Sequence, residues 1–242
     1  MAKFTTWVYG NNGSPGRELA LDEDDRYSPD GLQLRTFCKT TFYPGVTVLI
    51  GCNGSGKTTL LQTIALACKD ADIPCYKYYG LEARDKISFD AQVNSDTNAA
   101  LQMINSNFMS EGERLFDNMA YLVNRLGQFV LRDNRYAPEV LVLIDSMDSG
   151  LSLDLQDEFG SFLDDMAGKL KPDGMAIYVI MAANSYEYAS WAGWTAKDVQ
   201  EGTDVTFSSY EDYKKFVLET KVKKDKWVDE YNERSANGKR IF

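Results

Sequence analysis

Two hydrophobic rhythms alternate along the chain. VTVLI (46–50), VLVLI (140–144) and GMAIYVIMA (174–182) are short, almost unbroken apolar runs, the pattern of strands buried on both faces. LQLRTF (32–37) alternates apolar and polar positions as a half-buried strand does, and CYKYY (75–79) reads as a further strand. Between these runs the period lengthens. From residue 56 to about residue 69 the pattern predicts a helix with Leu60, Leu61, Ile64 and Leu66 available to the core. From 111 to about 132, Leu115, Met119, Leu122, Leu126 and Phe129 recur at intervals of three and four, which predicts an amphipathic helix. Further helices are expected from about Ser152 to Ala167 and from about Tyr210 onward.

The intervals between these elements are polar or turn-rich. Residues 10–17 are dense in turn formers and read as a loop. The acidic run from Asp22 to Asp25 reads as a solvated turn. Residues 197–207, KDVQEGTDVTF, read as a hairpin turning near Glu201–Gly202. Residues 72–110 yield little beyond the strand and a short helix after polar turn residues. Strands alternating with helices, without internal repeats, predict an α/β fold: a mainly parallel sheet with flanking helices on both faces.

Composition narrows the function. The chain has 242 residues, enough for one domain with a sizeable core and too few for two comfortable ones. Lys+Arg total 26 against Asp+Glu 36, a formal net charge of −10, so the average field repels a polyphosphate backbone. Residues 214–242 carry nine Lys/Arg against five Asp/Glu; they read as a solvated amphipathic helix, with a nucleic-acid patch as the alternative. No apolar stretch is long enough to span a membrane, and the N-terminus lacks the apolar core of a signal peptide. A cytoplasmic protein with no membrane contact is expected. Cys38, Cys52, Cys68 and Cys75 show no C-x-x-C spacing and the chain has no histidine. Reduced thiols and no zinc site follow. The usual imidazole base is also missing.

One stretch carries the chemistry. GCNGSGKTT (51–59) fits G-x-x-x-x-G-K-[ST] and lies between a buried strand and a helix. Glycines let such a loop turn successive N–H groups toward phosphates, and the following helix adds its partial positive charge. Gly51, Asn53, Gly54, Ser55, Gly56, Lys57, Thr58 and Thr59 are the expected phosphate-binding residues. Lys57 would reach the β- and γ-phosphates of ATP, and the Thr58 hydroxyl would ligate Mg²⁺. Asp145, ending an apolar run, fits a second Mg²⁺-organising carboxylate.

The order GCNGSGKTT, then SEGER (110–114), then VLVLIDSMDSGLS (140–152) resembles the ABC-type P-loop ATPases, especially the soluble RecF/SMC-like branch. The resemblance spans roughly residues 30–190. It implies an ATP-binding P-loop NTPase that sandwiches two Mg·ATP in a head-to-tail homodimer. Ser110 and Gly112 would then contact the γ-phosphate held by the opposite subunit, and the Ser149–Gly150–Leu151 loop would cross between subunits. A glutamine coordinating Mg²⁺ and water is also implied. Gln92 and Gln102 are candidates, and Gln92, 35 positions after Lys57, fits the family spacing better. Ser110 follows Lys57 by 53 positions, which leaves only a reduced helical subdomain and speaks against a transporter subunit or a coiled-coil insertion. Residues 1–242 are thus read as one domain: a core at about 30–190, then a hairpin and helix at about 194–242.

Departures from the family pattern set the functional question. Glu111 stands at a signature position that is often glycine. Ser146 occupies the place of the catalytic glutamate, and serine is no general base near neutral pH. Asn184 stands at the switch-histidine position and cannot take a proton. Asp148 is the candidate replacement carboxylate, with fixing of the loop as its other role; Glu113 fits a capping partner of Ser110. Tyr9, Tyr27 and Phe37 remain open as stacking partners for adenine. Slow ATP hydrolysis is the expectation, in DNA repair, recombination or phage–host processes. The alternative is an ATP-gated dimerisation switch that recruits an effector protein or DNA with little turnover. A P-loop kinase is a weaker third reading, since it leaves SEGER and DSGLS unexplained.

Overall fold

The computed structural model describes residues 6–9, 16–79, 111–146, 148 and 151–236. A three-stranded antiparallel sheet comes first: β1 (Thr6–Tyr9), β2 (Arg17–Ala20) and β3 (Lys39–Phe42). The central sheet contains β4 (Gly45–Ile50), β5 (Cys75–Tyr79), β6 (Glu139–Asp145), β7 (Ala176–Ala182), β8 (Thr195–Asp198) and β9 (Asp204–Val205). Its order is β5-β6-β7-β4-β8-β9, and all pairs are parallel except β8 with β9. The helices are α1 (Lys57–Asp70), α2 (Glu111–Gln128), α3 (Leu153–Ala167), the short α4 (Tyr186–Ala189) and α5 (Tyr210–Ala236). This is the α/β architecture expected, a mostly parallel sheet with flanking helices.

The unbroken apolar runs are explained by burial on both faces. Along β6, Val140, Val142 and Ile144 join Leu122 and Leu126 of α2 and Phe159 and Leu163 of α3. Leu141 and Leu143 point the other way, into a second core with Leu60, Leu61 and Ile64 of α1 and with Leu19 and Phe42 of the antiparallel sheet. Each such side chain contributes about 1.5–3 kcal/mol when fully buried, so a polar residue on either face would be costly. The antiparallel sheet is tied to the core by Trp7, stacked on Phe42 at 5.5 Å and edge-on to Tyr178 at 5.7 Å. A buried ion pair between Arg17 and Glu139 links β2 to β6. Among the described residues no helix is long and apolar enough to cross a membrane.

Two expectations are corrected. Residues 32–37 form no strand: a single bridge joins Gln33 to Tyr27, and the strand begins only at Lys39. The apolar alternation there reflects loop side chains packing inward, for Leu34 and Phe37 are buried without a ladder. Leu66 is 63% exposed because it lies about 200° around α1 from Ile64, at 100° per residue. The hairpin at 197–207 does form, with Lys197 opposite Asp204. α2 ends in a π-turn, Phe129–Asp133, whose first carbonyl accepts from the Asn134 backbone and side chain.

Parallel pairing puts the carboxyl ends of β4, β6, β7 and β8 on one edge, where open α/β sheets bind ligands. Ala182 of β7 is in register with Leu49 of β4 on one side and Asp145 of β6 on the other. The segments leaving these three strands therefore start side by side.

Candidate functional site

β4 delivers the chain to Gly51, where φ is +149° and a Cβ would lie 2.8 Å from Ser55 Oγ and 3.0 Å from Val199 Cγ1. Only glycine fits that close approach. Gly56 has φ +92°, with Leu34 Cβ 3.2 Å from where its own Cβ would stand. α1 begins at the next residue, and no side chain caps its first turn. The free N–H groups and the helix dipole are thus offered to the loop. Asn53, Gly54 and Thr58 are exposed around the rim, while Ser55 is buried with Oγ lacking a hydrogen-bond partner among the described residues.

Lys57 is buried, and its ammonium donates to the carbonyls of Gly51 at 2.8 Å and Cys52 at 3.1 Å. Burial lowers its pKa, opposed by the Cys52 thiol and by the Asp148 and Asp145 carboxylates. Both carboxylates therefore act on one ammonium.

Asp145, the last residue of β6, is 7% exposed and accepts from the Ser146 hydroxyl at 3.2 Å. Ser146 itself is exposed and has φ +55°, a left-handed conformation uncommon outside glycine and often stored at functional sites. Its N–H donates to Ala182 O. Asp148 turns back toward the end of β7, where Oδ2 accepts from the Asn184 N–H at 2.5 Å. Its other oxygen, Oδ1, is buried and has no partner among the described residues. Burial raises the Asp148 pKa above the ordinary carboxylate range, against the lowering effect of backbone N–H bonds and Lys57. Asn184 is held from both sides: its carbonyl accepts from the Tyr213 hydroxyl of α5 at 2.6 Å.

A family model described as an AAA domain matches residues 40–186, more than half of the chain. The chain belongs to the AAA domain family. No curated protein matches it.

Nucleotide binding comes with the family, and the residues of this AAA domain fit it. The glycine cradle, the uncapped helix start and the buried, unpartnered Ser55 hydroxyl suit a polyphosphate. Among the described residues no group of three or more acidic or cysteine side chains converges as a self-sufficient metal cage. Mg²⁺ is ordinarily held by one or two protein oxygens plus phosphates and water; Thr58 and Asp145, the residues expected to hold it, stand in the first turn of α1 and at the end of β6.

The structure thus brings together Gly51, Asn53, Gly54, Ser55, Gly56, Lys57, Thr58 and Thr59 with Asp145, Ser146, Asp148 and Asn184 at one edge of the sheet. Ser110, Gln92, Gln102, Ser149 and Gly150 lie outside the described residues, as do the side chains of Tyr9 and Glu113. Gly112 stands in the first turn of α2. Phe37 is withdrawn from the adenine candidates: it is 9% exposed and packs where a Gly202 Cβ would sit, 2.7 Å away.

Sequence reasoning missed Arg35. It is fully buried, and Nε, Nη1 and Nη2 have no hydrogen-bond partner among the described residues. Burial pushes its pKa down to about 10, offset in part by the Asp25 charge. Its neighbour Leu34 packs on Gly56 of the phosphate loop. An unsatisfied buried guanidinium is costly, and a phosphate beside it would compensate. The only signal in the sequence was an arginine inside an apolar alternation.

Proposed function

We propose that this AAA domain binds Mg·ATP in the 51–59 loop and hydrolyses it slowly in a head-to-tail homodimer of the ABC, RecF/SMC-like kind. The observation that carries the reading is the placement of Asp148. Its Oδ2 is fixed by the Asn184 N–H, its Oδ1 has no hydrogen-bond partner among the described residues, and Lys57 acts on it through space. A carboxylate held above its ordinary pKa by burial suits a general base. In this reading Asp148 takes a proton from a water that attacks the γ-phosphorus, and the bond to the ADP oxygen breaks. Lys57, Arg35 and the loop N–H groups stabilise the charge on the phosphates. Thr58 and Asp145 would hold Mg²⁺, which supplies charge neutralisation, with Gln92 as the further ligand the resemblance implies. Ser110 and Gly112 would close the opposite subunit's site.

Slowness follows from position 146. Base assistance is worth about 10²–10⁴ in rate, and a side chain two residues away replaces the usual glutamate only in part. The biological setting that the resemblance favours is DNA repair, recombination or phage–host conflict. DNA or an effector protein would be the further partner.

A second reading is favoured by Ser146 and Asn184, neither of which accepts a proton: an ATP-gated dimerisation switch with almost no turnover. Phosphate release and sedimentation measured together, with Mg·ATP and with Mg·ADP, separate the two. The enzyme dimerises on ATP and releases phosphate; the switch dimerises and does not. A chain that binds no Mg·ATP, or stays monomeric with it, overturns the proposal.

A further inference from the structure

α5 does not pack as a peripheral solvated helix. Its buried residues are Tyr213, Thr220 and Trp227, seven positions apart and therefore on one stripe. Lys224, eleven positions after Tyr213, falls on the same stripe. Three members of it touch the candidate site. The Tyr213 hydroxyl donates to Asn184 O at 2.6 Å. Thr220 Oγ1 accepts from the Cys52 N–H at 3.0 Å and donates its own proton to Val217 O at 2.8 Å. The Lys224 ammonium donates to Asn53 O at 3.2 Å and lies 3.9 Å from where a Gly54 Cβ would stand. The helix is locked in turn to the β8–β9 hairpin. Gln200 Nε2 donates to Thr220 O at 3.2 Å, and Lys223 pairs with Glu201. The hairpin also holds the segment after Arg35, since Thr36 N–H donates to Gln200 O at 2.8 Å.

We propose that Thr220 and Lys224 are positioning residues for the polyphosphate. They brace residues 52 and 53 of the phosphate loop from the outside, keeping the inner N–H groups turned toward the ligand. The physical reason lies in the loop itself. A glycine-rich segment with several left-handed residues has large conformational freedom to lose, and preorganising it from a rigid helix removes that cost from binding. The Thr220 hydroxyl is suited to this: its proton is committed to Val217, so a lone pair faces the Cys52 N–H. Lys224 adds a positive charge at the crown of the loop, with the Asp225 carboxylate 3.7 Å away.

The inference rests on the nucleotide-binding reading, and calorimetry on the full chain keeps the two apart. Mg·ATP and Mg·ADP are titrated into wild type, Thr220→Val, Lys224→Ala and Lys224→Arg, with thermal melts taken without nucleotide. Each of the first two variants is expected to bind both nucleotides about three- to tenfold more weakly, the loss of one hydrogen bond. Lys224→Arg restores most of the affinity. Lys224→Ala, at the rim, should melt with the wild type. If Thr220→Val does not fold, the two Lys224 variants carry the test. Wild-type affinity in both Thr220→Val and Lys224→Ala, or an affinity loss that only follows a lowered melting temperature, overturns the inference and leaves the nucleotide site standing. A wild type that binds neither nucleotide overturns both.

Discussion

At the scale of single residues, two ionisable side chains lie where burial makes charge expensive. Asp148 has a raised pKa because desolvation outweighs its N–H bonds. Its native form therefore binds a proton more readily than the unfolded chain, and its stabilising contribution is present at low pH and lost as pH rises through the folded pKa. Asp148→Asn should consequently melt higher than wild type at mildly alkaline pH and lose that advantage as pH falls through the folded pKa of Asp148. The same change should cut phosphate release by about 10²-fold while Mg·ATP binds almost as before, and wild-type turnover should rise with pH from a midpoint above the ordinary carboxylate range. Ser146→Glu should raise turnover. If Asp148→Asn turns over like wild type, the water is activated elsewhere. Arg35 is the second case: charged at neutral pH, with a pKa near 10 and no hydrogen-bond partner among the described residues. A buried charge without such a partner is costly to keep, so an apolar replacement of similar volume removes that cost. Arg35→Met should melt higher yet bind Mg·ATP at least about tenfold more weakly; unchanged affinity would remove Arg35 from the phosphate site.

At the scale of elements, some of the chain was legible and some was not. β4, β6, β7 and α1 announce themselves because burial imposes a period on their own residues. Residues 32–37 imitate that signal: Leu34 and Phe37 are buried by a phosphate loop and a hairpin distant in sequence, not by a neighbouring strand. The α3–α4 contact was equally invisible. Gly160 of α3 leaves room for Trp191, whose ring would lie 2.5 Å from an added Cβ. Asp164 on the same helix accepts from the Trp191 indole at 2.8 Å and the Trp194 indole at 2.5 Å. Gly160→Ala should therefore cost about 1–3 kcal/mol through overpacking, despite alanine's better helix propensity. Thermal melts would show it as a fall of about 2–4 °C per kcal/mol, and an unchanged melt would mean that the two tryptophans move aside freely.

At the scale of the whole molecule, a net charge of −10 opposes the pairing of two copies, so screening should help the proposed dimer. Its ATP-dependent association should strengthen between about 0.02 and about 0.15 M salt as the Debye length falls to about 8 Å. Weakening over that range in sedimentation experiments would contradict this and point to local attraction between unlike charges. The sequence by itself determined the α/β class, the glycine-rich turn at 51–59 ahead of a helix, and Asp145 at the end of a buried strand. A glycine-rich turn before a helix and a run of residues buried on both faces are local requirements, written into consecutive residues. Only the tertiary structure decided which Asp148 oxygen is hydrogen-bonded to Asn184, that Arg35 lies fully buried, and that α5 reaches residues 52 and 53. Those depend on contacts such as Thr220 with Cys52, 168 residues apart. A hydrogen bond across that separation leaves no period in either segment, because a single polar residue on a helix looks the same whether it meets water or a backbone N–H.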